Sequence, residues 1–173
     1  MTCKWKYATP APLDDLWLFG DGGFLSGLCF EGHGEETHAG SDKRPMDIPK
    51  RLSPVLSETC RWLDRYFAGR PPASPPPFHL HGLTPFRSAV MEALLEIPWG
   101  CTTTYGAIAR TIARKRGIPV MSAQAVGGAV GWNPVCIIIP CHRVVGASGS
   151  LTGYGGGLSN KAALLALEGA SLP

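Results

Sequence analysis

The sequence contains no hydrophobic segment long enough for a membrane. Its most apolar run, Val135-Cys136-Ile137-Ile138-Ile139, is five residues between Pro134 and Pro140, against the ~20 a spanning helix needs. The N-terminus, Met1-Thr2-Cys3-Lys4-Trp5-Lys6, has two lysines but no apolar stretch behind them, so no secretory signal is expected. Cysteine is too thin for a stapled scaffold: there are six in 173 residues and no CxxC spacing. Together these predict a reduced, cytosolic protein. Acid is missing from one long stretch, since no Asp or Glu occurs between Glu96 and Glu168. What is present suffices for a core: 45% of the residues are hydrophobic, and the length suits one or two small domains. Glycine (22) and proline (16) are plentiful but scattered through apolar sequence, which argues against wholesale disorder.

The charge is uneven. Residues 1–80 carry 9 Lys/Arg against 10 Asp/Glu, and residues 81–173 carry 7 against 3. The acid-free stretch holds Arg110, Arg114, Lys115, Arg116, Arg143 and Lys161. A field of one sign over half a domain suits a polyanion. A mildly basic solvated surface explains the charge equally well.

Local signals organise the chain. Leu16–Phe19 and Phe24–Phe30, separated by Gly20-Asp21-Gly22-Gly23, read as a β-hairpin. Residues 32–47 read as polar loop. Ser53-Pro54 opens a helix with Leu56, Cys60, Leu63 and Phe67 at helical spacing. Gly69 and Pro71 stop it, and residues 71–77 (PPASPPP) form a stiff linker, which divides residues 1–76 from 77–173. Thr84-Pro85 opens the next helix, and Pro98-Trp99-Gly100 breaks it. Thr104 caps a short helix through Ile112, the cationic turn Arg114–Gly117 follows, and Ser122 caps a helix from Ala123 to about Val130. These two helices have the size of a helix-turn-helix. Val135–Ile139 reads as a buried strand, residues 146–157 as a Gly/Ser-rich loop, and Ser159 opens a final helix ending at Glu168-Gly169.

The helix after Ser122 contains Gln124-Ala125-Val126-Gly127-Gly128-Ala129, nearly all small residues. Each Gly weakens a helix by roughly 1 kcal/mol relative to Ala. Such a helix suits close approach by another backbone, either a neighbouring helix or an outside partner. Directly after the apolar run comes Pro140-Cys141-His142-Arg143. Nearby cations lower a thiol pKa. Adjacent Cys and His on an extended chain point opposite ways, so the dipeptide taken alone reads as an ordinary buried cysteine.

The surrounding sequence supplies the context. Asn133-Pro134, then Ile137–Gly146 (IIIPCHRVVG), then Gly153-Tyr154-Gly155-Gly156-Gly157, together with Ile97–Gly100 and Thr104-Tyr105-Gly106, resemble the O6-alkylguanine-DNA alkyltransferases. These are the methylated-DNA–protein-cysteine methyltransferases. The resemblance runs from about Thr84 to Gly169, roughly half the chain. It implies an α+β protein: a small sheet-plus-helix, ribonuclease-H-like domain, then a winged helix-turn-helix-like domain. It implies stoichiometric transfer of an alkyl group from O6-alkylguanine in double-stranded DNA to the protein's own cysteine, O4-alkylthymine being a second candidate substrate. The recognition helix would enter the minor groove, which is only about 6 Å wide, and the base would be flipped out of the stack.

The resemblance also implies roles. Cys141 is the nucleophile, His142 its base through a water, Glu168 the carboxylate orienting that His, and Asn133 the hinge bonding near the Cys. Tyr105 donates to guanine N3 and presses on a phosphate. Val144, Tyr154, Gly155, Gly156 and Lys161 form the substrate pocket. Thr104, Tyr105, Ser122, Gln124, Ala125, Gly128 and Arg143 face DNA, and Arg143 also buttresses the domain interface. Two departures from the family stand out: Gln124 replaces an intercalating Arg, and no Ser hydroxyl lies near Gly155. Some relatives hold zinc in the first domain. Cys3, Cys29, His33, His38, His79 and His81 are the candidates here, but their spacing fits no zinc pattern, so no metal and no cofactor is expected. A monomer without a membrane role is expected, cytoplasmic and nucleoid-associated on DNA, or nuclear in a eukaryote. The rival readings are a non-enzymatic helix-turn-helix DNA binder or lesion sensor, and a Cys-His hydrolase.

Overall fold

The structure, a computed structural model, describes residues 2–21, 23–33 and 51–170. The chain divides into two compact units, Met1–His81 with Pro134–Ile138, and Gly82–Asn133 with Ile139–Pro173. The first unit thus includes a short segment from the second half of the sequence. Among the described residues no helix is long and apolar enough to cross a membrane.

The first unit is built on an antiparallel sheet in the order β1 (Thr2–Tyr7), β2 (Leu16–Asp21), β3 (Phe24–Phe30). β2 and β3 are the expected hairpin, with Leu16 opposite Phe30 and Leu18 opposite Leu28. β1 was not anticipated, although Cys3, Trp5 and Tyr7 alternate with Lys4 and Lys6 in the period-2 pattern of a strand. Helix α1 (Pro54–Phe67) begins as read: the Ser53 hydroxyl accepts from the Leu56 amide at 3.4 Å, with Pro54 in the first turn. Val55, Leu56, Thr59, Leu63 and Tyr66 form its buried face. Each fully buried Leu contributes roughly 1.5–3 kcal/mol.

The open edge of β3 is covered rather than bare, as exposed edges invite mispairing. The Leu25 amide donates to Pro77 O (2.8 Å) and its carbonyl accepts from His79 N (2.9 Å). The Leu28 amide donates to Pro134 O and its carbonyl accepts from Cys136 N, both at 2.9 Å. This pairing corrects the strand expected at Val135–Ile139. Only Val135 makes a bridge, to Leu28. Residues 136–138 then turn through a three-residue reversal in which Ile138 N donates to Cys136 O at 2.7 Å and Ile137 takes φ +67°. A β-branched residue with positive φ is strained. All five side chains are buried, which accounts for the apolar run without a strand.

The second unit is mostly helical. Helix α2 (Pro85–Leu95) is capped by Thr84, whose hydroxyl accepts from Arg87 N at 3.2 Å. β4 (Thr103–Thr104) pairs in parallel with β5 (Val144–Val145). α3 spans Tyr105–Arg116 and α4 spans Ala123–Gly131, capped by Thr104 and Ser122 respectively. α3 is a turn longer than its sequence reading. Arg114, Lys115 and Arg116 occupy its last turn, where cations complement the helix dipole, and Gly117 at φ +65° ends it. Helix α5 (Leu158–Leu167) starts one residue before Ser159, with Gly157 at the cap and no side-chain cap bond.

Candidate active site

All groups described in this section except the metal candidates lie in the second unit. Two local devices carry Cys141. A second tight reversal follows the first, Cys141 N donating to Ile139 O at 2.8 Å with Pro140 at its centre (φ −81°, ψ 61°). Cys141–Arg143 then forms one 3₁₀ turn. That turn breaks the extended geometry that would send neighbouring side chains to opposite sides. The two-residue ladder places Thr103 opposite Val144 and Thr104 opposite Val145. Tyr105, next after Thr104, is thereby tied to the segment immediately downstream of the cysteine.

Cys141 is 6% exposed. The Asn133 amide Nδ2 donates to its Sγ at 3.1 Å and to Ile139 O at 2.8 Å. Asn133 follows directly on the C-terminal cap of α4, its own N–H bonding Val130 O at 3.2 Å. Burial pushes the Cys141 thiol up, against thiolate-favouring effects of the Asn133 amide, the Lys161 charge, the local backbone and the Tyr154 hydroxyl. The thiol at rest is therefore protonated and needs a base.

His142 is fully buried, and its Nε2 lies 2.9 Å from Glu168 Oε1. Burial lowers its pKa below the usual imidazole value. Glu168 opposes that shift, while Arg143 and Lys161 reinforce it. The Glu168 carboxylate also takes Arg143 Nε at 2.8 Å on Oε2, Arg143 Nη2 at 2.9 Å on Oε1, and the Gly100 amide at 3.4 Å. A carboxylate held by a bidentate guanidinium is ionised. It therefore accepts from a neutral His142 at Nε2–H, and Nδ1 carries the lone pair. Gly100 is required here: its φ is +72° and an added Cβ would lie 3.0 Å from Glu168 O.

Arg143, expected against DNA, is buried and turned inward, its Nη1 donating to Ile97 O at 2.6 Å. Its guanidinium holds Glu168, which corrects that expectation. No local pattern marks this role, because its partner lies 25 residues away. Lys161, also fully buried, donates to Val144 O at 2.6 Å and Thr152 O at 3.0 Å. The Val144 carbonyl keeps a second lone pair. The Tyr105 hydroxyl donates to Thr152 O at 3.1 Å. Burial holds its pKa above the ordinary phenol value, so it remains a donor. Tyr154 and Gly156 are half-buried, while Gly155 is exposed.

On α4, Val126, Ala129 and Val130 face the interior, whereas Ser122, Gln124, Ala125 and Gly128 are exposed. An added Cβ at Gly128 would have nothing within 4 Å, and at Gly127 only ordinary contact with the Tyr105 ring at 3.8 Å. Packing inside the chain thus does not demand glycine at either position.

Of the metal candidates, His38 lies outside the described residues. Cys3 Sγ lies near Gly20 O (3.6 Å), His33 near Asp14 (3.9 Å), and the His79 and His81 rings meet edge to face at 4.7 Å. Among the described residues no cluster of three or more such side chains is placed to hold a metal.

Comparison with known proteins agrees with this geometry. The family described as "6-O-methylguanine DNA methyltransferase, DNA binding domain" matches residues 85–170. The methylated-DNA–protein-cysteine methyltransferase of Mycobacterium tuberculosis is 42% identical over 163 residues, covering 94% of this chain and 91% of that protein. The one from Haemophilus influenzae is 37% identical over 97% of this chain and 88% of its own. A crystal structure of the M. tuberculosis O6-methylguanine methyltransferase superposes with a TM-score of 0.76 at 40% identity, covering 100% of this chain and 96% of that one. The same protein's complex with DNA gives 0.76 at 38% identity, covering 97% and 92%. The fold and site define an alkyl-accepting DNA-repair protein of α+β architecture. The chain belongs to the family of methylated-DNA–protein-cysteine methyltransferases, and its activity is DNA repair by alkyl transfer to a cysteine.

Proposed function

We propose that Cys141 is the acceptor and that O6-alkylguanine in double-stranded DNA is the donor, each chain acting once as a monomer. The single observation that carries the reading is the buried His142–Glu168 pair directly after the buried Cys141, in which a neutral imidazole is held by an ionised carboxylate. The proton leaves Cys141 Sγ for His142 Nδ1 through an intervening water. Sulfur attacks the alkyl carbon, the C–O6 bond breaks, and the electron pair goes to guanine. Tyr105 moves its hydroxyl from Thr152 O to guanine N3 and donates a hydrogen bond there, stabilising the electron pair that arrives on the base. The proton taken up by His142 is released to solvent and the departing base gains one, so guanine leaves neutral with the thiol's proton accounted for. Asn133 holds the thiolate, and Lys161 ties Val144 to the 146–157 loop that forms the pocket with Tyr154, Gly155 and Gly156.

Reaching the O6 carbon requires a flipped base. The exposed, side-chain-free position at Gly128 supports α4 as the element entering the minor groove, with Thr104, Ser122, Gln124 and Ala125 alongside. On this reading the first domain, residues 1–76, is ribonuclease-H-like, and residues 77–173 form a winged helix-turn-helix-like domain in a cytoplasmic protein. Incubation with O6-benzylguanine followed by intact-mass measurement tests the assignment. One benzyl group on Cys141 is expected, with none on Cys141→Ser. An adduct elsewhere, or none on the wild type, overturns it.

A further inference from the structure

The second unit contains seven Lys and Arg residues, and among the described residues five are engaged. Arg87 donates to Gly82 O and lies over the Trp132 ring at 4.3 Å. Lys115 pairs with Glu96 at 3.2 Å, and Arg116 donates to Pro85 O at 2.7 Å. Arg143 and Lys161 are buried in the site. The remaining two, Arg110 and Arg114, are exposed and have neither an ion pair nor a hydrogen bond among the described residues. They stand one helical turn apart on α3. Like charges at this spacing repel, and no acid of the unit offsets them: Glu92 takes Ser88, Glu96 takes Lys115, and Glu168 is buried.

Arg110, Ala113 and Arg114 line a hollow of about 310 Å³ together with the apolar ledge Ile118-Pro119-Val120-Met121. Val120 is 79% exposed and Ile118 39%. The ledge runs directly into Ser122, the cap of α4. α4 itself, AQAVGGAVG, carries no charge, so cations gripping the strand beside it must come from elsewhere in the unit. The Arg110 guanidinium folds back along α3 toward Gly106, beside Tyr105, where an added Cβ would lie 3.5 Å from Nη1.

We propose that Arg110, Arg114 and the Ile118–Met121 ledge form a clamp for one deoxyribose of the duplex backbone and its two flanking phosphates. The guanidiniums take the phosphates and the ledge takes the apolar face of the sugar. An apolar hollow rimmed by two uncompensated cations matches that chemistry, because the sugar is the uncharged section of an otherwise anionic strand. The clamp reads no sequence; it fixes register and supplies affinity that an uncharged α4 cannot. It rests on the reading of the chain as a duplex-DNA repair protein.

The test measures affinity for an undamaged duplex between 50 and 200 mM salt, for the wild type, Arg110→Gln, Arg114→Gln, the double variant and the two Lys variants. Each Gln substitution is expected to lower the log–log salt slope by about 0.9, one phosphate's worth. The double variant should therefore lose about tenfold less affinity than the wild type across that range. Arg110→Lys and Arg114→Lys should keep the slope. The melting temperature of the double variant should hold or rise, since a like-charge pair is removed. An unchanged slope in the double variant overturns the clamp, as does a slope that falls only together with the melting temperature. Undamaged duplex requires no chemistry, so failure of the wild type to accept benzyl at Cys141 would sink the proposed function separately.

Discussion

Arg143 and His142, neighbours in sequence, converge on one carboxylate: Glu168 Oε1 accepts from His142 Nε2 and Arg143 Nη2, both at 2.9 Å, while Oε2 takes Arg143 Nε at 2.8 Å. Glu168 lies at the C-terminal cap of α5, where the helix dipole disfavours an anion. The guanidinium offsets that cost and keeps the carboxylate charged, which in turn fixes the tautomer of His142.

The first prediction concerns pH. His142 is held below the ordinary imidazole value of 6.5 and Cys141 above the ordinary thiol value of 9.0, both chiefly by burial. Transfer from free O6-benzylguanine should be level between them, with its acid limb below pH 6.5. In His142→Ala the plateau should give way to a rate that climbs with pH as thiolate accumulates. The same shift affects stability. Below pH 6.5 the unfolded chain binds a proton at this His that the folded chain refuses, so stability falls as pH drops. Acid titration of the melting temperature of wild type against His142→Gln measures it, and a pH-rate profile with its acid limb above 6.5 would contradict the assignment.

Removing one partner of the buried ion pair should be costly. Arg143→Ala leaves Glu168 charged at 0% side-chain exposure, and breaking such a pair costs about 3–5 kcal/mol. Glu168→Gln should slow transfer while undamaged-duplex affinity stays near that of the wild type. Urea unfolding and single-turnover kinetics separate the two effects.

Gly128→Leu should leave the fold intact, because nothing lies within 4 Å of an added Cβ and Leu favours a helix by roughly 1 kcal/mol over Gly. Duplex affinity should nevertheless collapse, since the side chain would stand where the minor groove must close on α4. Anisotropy binding beside a thermal melt checks both halves, and tight binding by the variant would remove α4 from the groove.

Gln124 is exposed in the first turn of α4. Its amide can meet an orphaned cytosine but lacks the charge and stacking plane of Arg. The ratio of duplex to free-base transfer rates should fall in Gln124→Ala and match or exceed the wild type in Gln124→Arg. An unchanged ratio in Gln124→Ala would deny the side chain a part in base extrusion.

Much of this was legible in the sequence where the signal is local. Ser53, Thr84, Thr104 and Ser122 all cap helices as their positions suggested. Pro-Cys-His-Arg pointed to the site through its resemblance. The strand expected at 135–139 failed because burial alone makes a segment apolar, and periodicity cannot distinguish a buried turn from a buried strand. β1 was missed because the half-buried Lys4, 3.7 Å from the Trp17 ring centroid, blurs the polar side of its alternation. The commitment of Arg143 to Glu168, 25 residues away, is a tertiary fact that no local pattern records.

The reversal that delivers Cys141 also limits what its sulfur can do. The cysteine's own N–H is occupied by Ile139 O at 2.8 Å. Thiol and serine hydrolases commonly rely on the nucleophile's main-chain amide to stabilise the negative oxygen of a tetrahedral adduct. Here that donor is already spent. Attack on a saturated carbon creates no such oxygen, since the charge departs with the leaving base. The backbone at Cys141 therefore favours displacement at an alkyl group and leaves the hydrolysis of esters and amides without electrophilic assistance from that amide.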